Sequence, residues 1–150
     1  MKPKKLYDAD VVSGLLSMSV QETATMPYPA AQLIPKLQAG LAVQELDCLR
    51  QGLDLPMERL VPLLGLSKAT MHRRKVSGRL DPSESDKVVR FARLLGLAAR
   101  TLESLENARA WLSSPQVGLG GAIPLEYAGT EVGAREVEDL LGRIEYGVYS

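Results

Sequence analysis

The stretch MERLVPLLGLSKATMHRRKVSGRL, residues 57–80, determines the fold because it has the spacing of two short helices joined by a tight turn. Its first half carries apolar residues at helical intervals, namely Met57, Leu60, Val61 and Leu64. Gly65 then offers the freedom at positive φ that a tight interhelical turn requires, and Ser67 is a suitable N-cap for a second helix. Two short helices joined by a glycine-containing turn of three or four residues predict a helix-turn-helix.

The second helix of this motif is the candidate DNA-binding element. In helix-turn-helix proteins its N-terminal residues meet base edges, while flanking residues hold phosphates. The predicted DNA-binding residues are Ser67, Lys68, Ala69, Thr70, His72, Arg73, Arg74, Lys75 and Arg79. Met71 and Val76 are expected to face the core. Arg74 falls where such helices usually bury an aliphatic side chain, so either the register is off by one residue or Arg74 snorkels.

The net charge of zero conceals a strong gradient along the chain. Residues 67–100 carry nine basic and three acidic side chains, whereas residues 101–150 carry three and eight. A charge run is usually a solvated helix face. This one has a single sign and follows the turn glycine, and it is reinforced by Arg79, Lys87, Arg90 and Arg93. The middle of the chain therefore favours operator DNA as a partner, and the acidic end a different one.

Sequence patterns also predict helices in the rest of the chain. Apolar stripes of helical spacing occur in residues 42–53, 88–95 and 137–144, and no alternating run predicts a strand. The sequence DPSE at 81–84 predicts a capping box, and Thr130 is a further candidate N-cap. The predicted class is all-α. The predicted organisation is a weakly defined segment at 1–39, which is a candidate for dimerisation, then a helix-turn-helix domain at 40–101 and a small helical domain at 102–150.

Residues suited to catalysis or metal binding are scarce. The sole histidine, His72, lies in the basic helix, and one histidine with one cysteine makes no zinc cluster. The glycine-rich sequence GLGGA at 118–122 lacks the lysine of a P-loop and predicts a turn. The acidic residues Glu136, Glu138 and Asp139 are interpreted as a solvated helix face. We therefore expect no enzyme, no cofactor and no metal.

The sequence gives two indications of compartment. The single cysteine, Cys48, lies among leucines and is interpreted as a reduced core residue. Asp8 and Asp10 separate the basic start from the first apolar stretch, which argues against a signal peptide, and no segment has the length of a membrane span. We expect a cytoplasmic protein that does not enter a membrane.

Two blocks of sequence carry a resemblance to a known family. The first is LGLSKATMHRRKVSGRLDPSESDKVVRFARLL at 64–95, and the second is ARAWLSSPQVGLGGAIPLEYAGTEVGAREVEDLLGRIEYGVYS at 108–150. The second block is the more specific, since it combines a Trp-Leu pair, a Gly-Gly-x-x-Pro turn, a Thr-x-x-Gly helix start and a Gly-Val-Tyr-Ser ending. From about residue 40 to 150 the chain resembles the Xre/MbcA/ParS-type antitoxins.

The resemblance implies an Xre-like helix-turn-helix followed by a toxin-binding domain. It implies a homodimer that binds a RES-domain toxin degrading NAD and represses its own operon. In this family the extreme C-terminus blocks the toxin's active-site cleft, and the matching positions are Glu145, Tyr146, Gly147, Val148, Tyr149 and Ser150. The alternative is a stand-alone transcriptional regulator whose C-terminal domain dimerises or senses a ligand.

Overall fold

The computed structural model describes residues 11–12, 30–145 and 147, and in this part of the chain the architecture is all-α. The helices are α1 (Ala30–Ala39), α2 (Gln44–Leu53), α3 (Met57–Leu63), α4 (Lys68–Ser77), α5 (Pro82–Thr101), α6 (Leu105–Leu112), α7 (Pro124–Tyr127) and α8 (Glu131–Glu145). Sheet-type pairing in the described residues is limited to two isolated bridges. The predicted fold class is therefore confirmed, and within the same residues no helix is both long and apolar enough to cross a bilayer.

Helix α5 is the centre of the structure. It begins with the predicted capping box, in which Asp81 accepts from the Glu84 N–H and the Glu84 side chain accepts from the Asp81 N–H. Eleven of its twenty residues are buried, more than one face of a helix can supply. Helices α1 and α2 pack on it from the N-terminal half, which we define as residues up to 101. Helices α6 and α8 pack on it from the C-terminal half, which begins at residue 102. One hydrophobic core, with Phe91 fully buried, therefore serves both halves.

Two arginines join the halves reciprocally. Arg90 of α5 donates to the carbonyl oxygens of Ala128 and Gly129, at 3.4 and 3.2 Å. Arg109 of α6 donates to the carbonyl oxygens of Gly52 and Gln51, at 2.7 and 3.3 Å. In each case a cation satisfies main-chain acceptors that lie at or just beyond the end of a helix in the other half. These contacts fix α5 and α2 relative to the C-terminal helices.

Part of the N-terminal segment belongs to this core. Val11 and Val12 are buried among the core residues. Their N–H groups donate to the two carboxylate oxygens of Glu45, at 3.0 and 3.1 Å, and Glu45 is only 2% exposed. A buried carboxylate needs such donors, because without them its desolvation would be costly. The segment 1–39 was expected to be weakly defined, yet these two residues are fixed; a dimerising role for it remains a prediction.

The turn at 116–122 and the start of α8 shape the C-terminal half. Gln116 pairs with Ala122 across a short 3₁₀ turn at Val117–Leu119, so GLGGA is a turn, as predicted. At the start of α8, Thr130 accepts a hydrogen bond from the Gly133 N–H at 3.0 Å, the cap predicted for it. Gly133 is needed for a further reason, since a Cβ there would overlap the carbonyl oxygen of Tyr127. The Thr-x-x-Gly motif therefore combines a helix cap with a close approach of α7.

Replacing Gly133 with alanine should lower the free energy of unfolding by about 2 kcal/mol, because the new methyl group must displace main-chain atoms. For a protein of this size the melting temperature should fall by roughly 6 °C. The matched control is Gly142→Ala in the same helix, where a Cβ meets no atom within 4 Å. That control should be neutral or stabilising, since alanine has the higher helix propensity. Equal melting temperatures for the two variants would contradict the proposed close approach.

Candidate functional site

The helix-turn-helix predicted at 57–80 is present with the expected caps. Helix α3 spans Met57–Leu63, Gly65 has φ +73°, and α4 begins at Lys68. Ser67 caps α4 by accepting a hydrogen bond from the Thr70 N–H at 3.1 Å. The turn itself is closed by main-chain hydrogen bonds from Gly65 and Leu66 back to Pro62 and Val61. The register of α4 is thus fixed at its first turn.

Most of the predicted DNA-binding residues share the solvent-facing side of this motif. The exposed ones are Ser67, Lys68, Ala69, His72, Arg73, Lys75 and Arg79, and Thr70 is partly exposed. Thr70 Oγ1 accepts hydrogen bonds from Ser67 Oγ at 3.0 Å and from the Arg73 guanidinium at 3.2 Å. This short network orients Arg73 before any ligand arrives.

Arg79 is exposed but anchored. Its guanidinium donates to the Gly40 carbonyl at 2.7 Å, and its backbone forms a bridge with Ala42. The segment after α4 is therefore tied to the chain that precedes α2.

Arg74 is placed differently from its neighbours, because its guanidinium is engaged within the protein. Its Nε and one terminal nitrogen bind the two Glu84 carboxylate oxygens at 2.7 and 3.0 Å, and the same terminal nitrogen lies 3.4 Å from Asp81 Oδ2. Such a two-point arginine–carboxylate pair fixes orientation as well as distance. Helix α4 begins where it was predicted to, with Ser67 as its cap, and Arg74 takes a partly buried position in which Glu84 holds it.

The Glu84 carboxyl is the electrostatic centre of this contact, and its side chain is only 9% exposed. Burial alone would raise its pKa, but the hydrogen bonds from Arg74 and the Asp81 N–H, with the nearby charges of Arg74 and Lys87, outweigh burial and lower the pKa. The hydrogen bond to Glu84 in turn raises the pKa of Arg74. The capping box could have signalled this pair, because it fixes a carboxylate where α4 ends and α5 begins.

The prediction for the inward side of α4 was half right. Met71 is buried, as expected, but Val76 is 76% exposed, so its assignment to the core was wrong. Five residues on a helix correspond to a rotation of roughly 140° beyond one full turn, so Val76 cannot share the face of Met71. Arg74, three residues from Met71, takes the inward position instead.

The four residues expected to reinforce the basic surface divide into two groups. Arg79 and Arg93 are exposed. Lys87 donates to the carbonyl of Leu64 at the end of α3, at 3.4 Å, and Arg90 binds the C-terminal half as described above. The cationic surface is therefore narrower than the charge run suggested.

Helix α8 ends beside the end of α5. Arg90 lies 3.7 Å from Glu131 at the start of α8, and Arg100 lies 3.9 Å from Glu145 at its end, so α5 and α8 run parallel. Ile144 packs against the core, and Gly147 donates to the Ile144 carbonyl with φ +72°. Of the predicted toxin-binding residues, Glu145 and Gly147 are exposed, while Tyr146, Val148, Tyr149 and Ser150 lie outside the described residues.

Comparison with known protein families divides the chain at α5. Residues 32–93 match the Xre-like helix-turn-helix domain of antitoxins. Residues 97–147 match the C-terminal toxin-binding domain of the Xre/MbcA/ParS antitoxins. The two matches fall on the halves that the arginine contacts join.

Individual relatives agree with these matches. The chain is 34% identical over 121 residues to Antitoxin Xre of Yersinia enterocolitica, covering 79% of this chain and 81% of the relative. It is 29% identical over 116 residues to Antitoxin Xre of Photorhabdus laumondii, covering 76% and 78%. The alignment with Antitoxin Xre of Pseudomonas putida is 30% identical over 99 residues, covering 65% and 60%. The chain therefore belongs to the Xre/MbcA/ParS family of antitoxins.

Proposed function

We propose that this antitoxin neutralises an NAD-degrading RES-domain toxin and represses its own operon as a homodimer. One observation carries the proposal. An exposed basic helix and a segment that matches a toxin-binding domain are built on one continuous hydrophobic core. The charge gradient supports two separate partners, since the segment 67–100 has a net charge of +6 and the segment 101–150 a net charge of −5.

In the proposed DNA complex, α4 enters the major groove. Lys68, Arg73 and Lys75 supply cations to phosphates or bases, and the free N–H groups at the start of the helix favour a phosphate there. Arg74 acts as a positioning residue that holds α4 against α5 through Glu84. A symmetric dimer would read a pseudo-palindromic operator with half-sites about 34 Å apart.

In the proposed toxin complex, residues 145–150 enter the active-site cleft. Helix α8 carries the tail to the edge of the domain, where Glu145 and Gly147 are exposed. Tyrosine suits a segment that must fill a cleft, because it brings a large apolar area and a polar tip at a small entropic cost. The segment would occupy part of the dinucleotide site and so exclude NAD.

The test is co-expression with the RES-domain toxin gene of the same operon. Production of the toxin alone should lower cellular NAD and stop growth, and co-production of the antitoxin should restore both. The two proteins should co-purify, and the complex or the free antitoxin should bind the promoter. An antitoxin that binds the promoter but neither co-purifies with the toxin nor restores NAD would instead favour the stand-alone regulator.

A further inference from the structure

The C-terminal half exposes three large apolar side chains close together in the sequence. Val117 is 93% exposed, Val132 75% and Tyr127 40%. Among the described residues, the other large exposed apolar side chains are Ile34 and Val76, which lie outside the segment matched by the toxin-binding domain. Single exposed apolar residues are ordinary, whereas a group on one surface indicates an interaction site.

Val117 lies on a turn that several hydrogen bonds stabilise. The Gln116 side chain donates to the carbonyls of Trp111 and Ser114, at 2.9 and 3.2 Å. The Gln116 carbonyl accepts from both Leu119 and Gly121. Because hydrogen bonds fix the backbone on either side of it, Val117 is exposed on an ordered turn. Binding of a partner there would therefore lose little conformational entropy.

The turn that carries Val117 and the end of α7 that carries Tyr127 both lie against α8, on which Val132 is exposed. A Cβ on Gly118 would come within 2.6 Å of Leu140, so the turn that carries Val117 packs at that level of the helix. The Tyr127 carbonyl approaches Gly133, next to Val132. Gly133 and Leu140 are seven residues apart, which on a helix is nearly two full turns and returns to the same side. Both the turn and the end of α7 therefore lie along one side of α8.

Exposed acidic residues lie beside Tyr127 and Val132. Glu126 precedes Tyr127, and Glu136 and Asp139 follow Val132 by four and seven residues on its side of the helix; all three are exposed. An apolar centre with a charged rim is the usual arrangement of a specific protein interface. Here the rim is predominantly acidic, although Arg135, three residues from Val132, is an exposed cation, so the complementary surface is an apolar depression bordered mainly by lysine or arginine.

We propose that Val117, Tyr127 and Val132 form a docking patch for the toxin, separate from residues 145–150, that supplies affinity while the tail supplies inhibition. The inference rests on the proposed toxin partner. It assigns the patch to the toxin because all three residues fall within the segment 97–147 that matches a toxin-binding domain. A second copy of this chain is less suited to the patch, since two predominantly acidic rims would then face each other.

The experiment measures binding of purified full-length variants to the purified RES-domain toxin. Val117→Asp and Val132→Asp should each raise the dissociation constant at least about tenfold, as truncating a central interface residue does. At saturating concentration both variants should still abolish NAD consumption, because the tail is intact. Val76→Asp is the matched control, since Val76 is as exposed as Val132 but lies in α4, and it should bind toxin like wild type.

Three results would overturn the inference. Toxin affinities equal to wild type in both patch variants would remove the patch from the interface. A change in oligomeric state by sedimentation, with toxin affinity unchanged, would show that a second copy covers the patch. An equal loss of affinity in Val76→Asp would mean that the effect is not local. The milder variant Val117→Ser, with melting temperatures for all variants, separates lost docking from lost folding. Failure of the wild-type protein to bind toxin would instead reject the proposed function itself.

Discussion

Replacing Arg73 and Lys75 together with alanine should weaken promoter binding at physiological salt by about 100-fold for each half-site that an α4 helix occupies. Each residue is exposed on α4, and each lost contact to DNA removes roughly 1.4 kcal/mol, within the net range of a protein hydrogen bond. The salt titration is the more specific measurement. Each phosphate contact contributes about 0.9 to the slope of log affinity against log salt, so the double variant should lose about 2 from that slope for each half-site, or about 4 for the dimer. Toxin binding should be unchanged.

Two controls separate contact with DNA from support of the helix. Arg135→Ala removes an exposed cation from α8, outside the basic surface, and should change neither affinity nor slope. Glu84→Gln leaves every surface cation in place but removes the carboxylate that holds Arg74. It should lower promoter affinity with the wild-type slope, because it moves the helix without losing a phosphate contact. A double variant of Arg73 and Lys75 that keeps the full slope would mean that DNA binds elsewhere.

The elements of this fold follow from local chemistry and could be predicted. Ser67, Asp81 and Thr130 all cap helices as expected, and the apolar stripes in residues 42–53 and 88–95 are buried. Caps and stripes depend on residues within a turn or two of each other. The sequence is therefore sufficient to locate such elements before their packing is known.

The uses of individual cations could not be predicted in the same way. Arg74, Lys87 and Arg90 belong to the basic run, but their partners are 10, 23 and 39 residues away in sequence. Which cation turns inward depends on which carboxylate or carbonyl the fold brings opposite it. Charge counts therefore indicated the candidate DNA-binding helix but overstated the extent of its cationic surface.

The same limit applies to the C-terminal half. The resemblance suggested the tail as the toxin-binding element. The exposure of Val117 and Val132, in contrast, depends on how α8 packs against the turn at 116–122 and could be recognised only from the structure. In sequence, both valines are indistinguishable from core residues. An exposed apolar residue can be recognised only after the buried ones have been assigned.

Deletion of Glu145 to Ser150 should leave an antitoxin that folds and binds its promoter but no longer inhibits the toxin. Folding should survive because Ile144, which packs against the core, is retained. The Arg100–Glu145 ion pair that is lost spans 3.9 Å between half-exposed side chains and contributes little. Melting temperature and promoter affinity should therefore stay near those of the wild type.

The decisive measurement is NAD consumption by purified toxin mixed with an equal amount of either antitoxin. Full-length protein should abolish activity, the truncated protein should leave most of it, and Tyr149→Ala should restore it partly, because one aromatic side chain is removed from the cleft. The truncated protein should still bind the toxin through the docking patch, although more weakly, so binding and inhibition become separable. Full inhibition by the truncated form at the same stoichiometry would show that the folded surface of the domain, and not the tail, closes the active site.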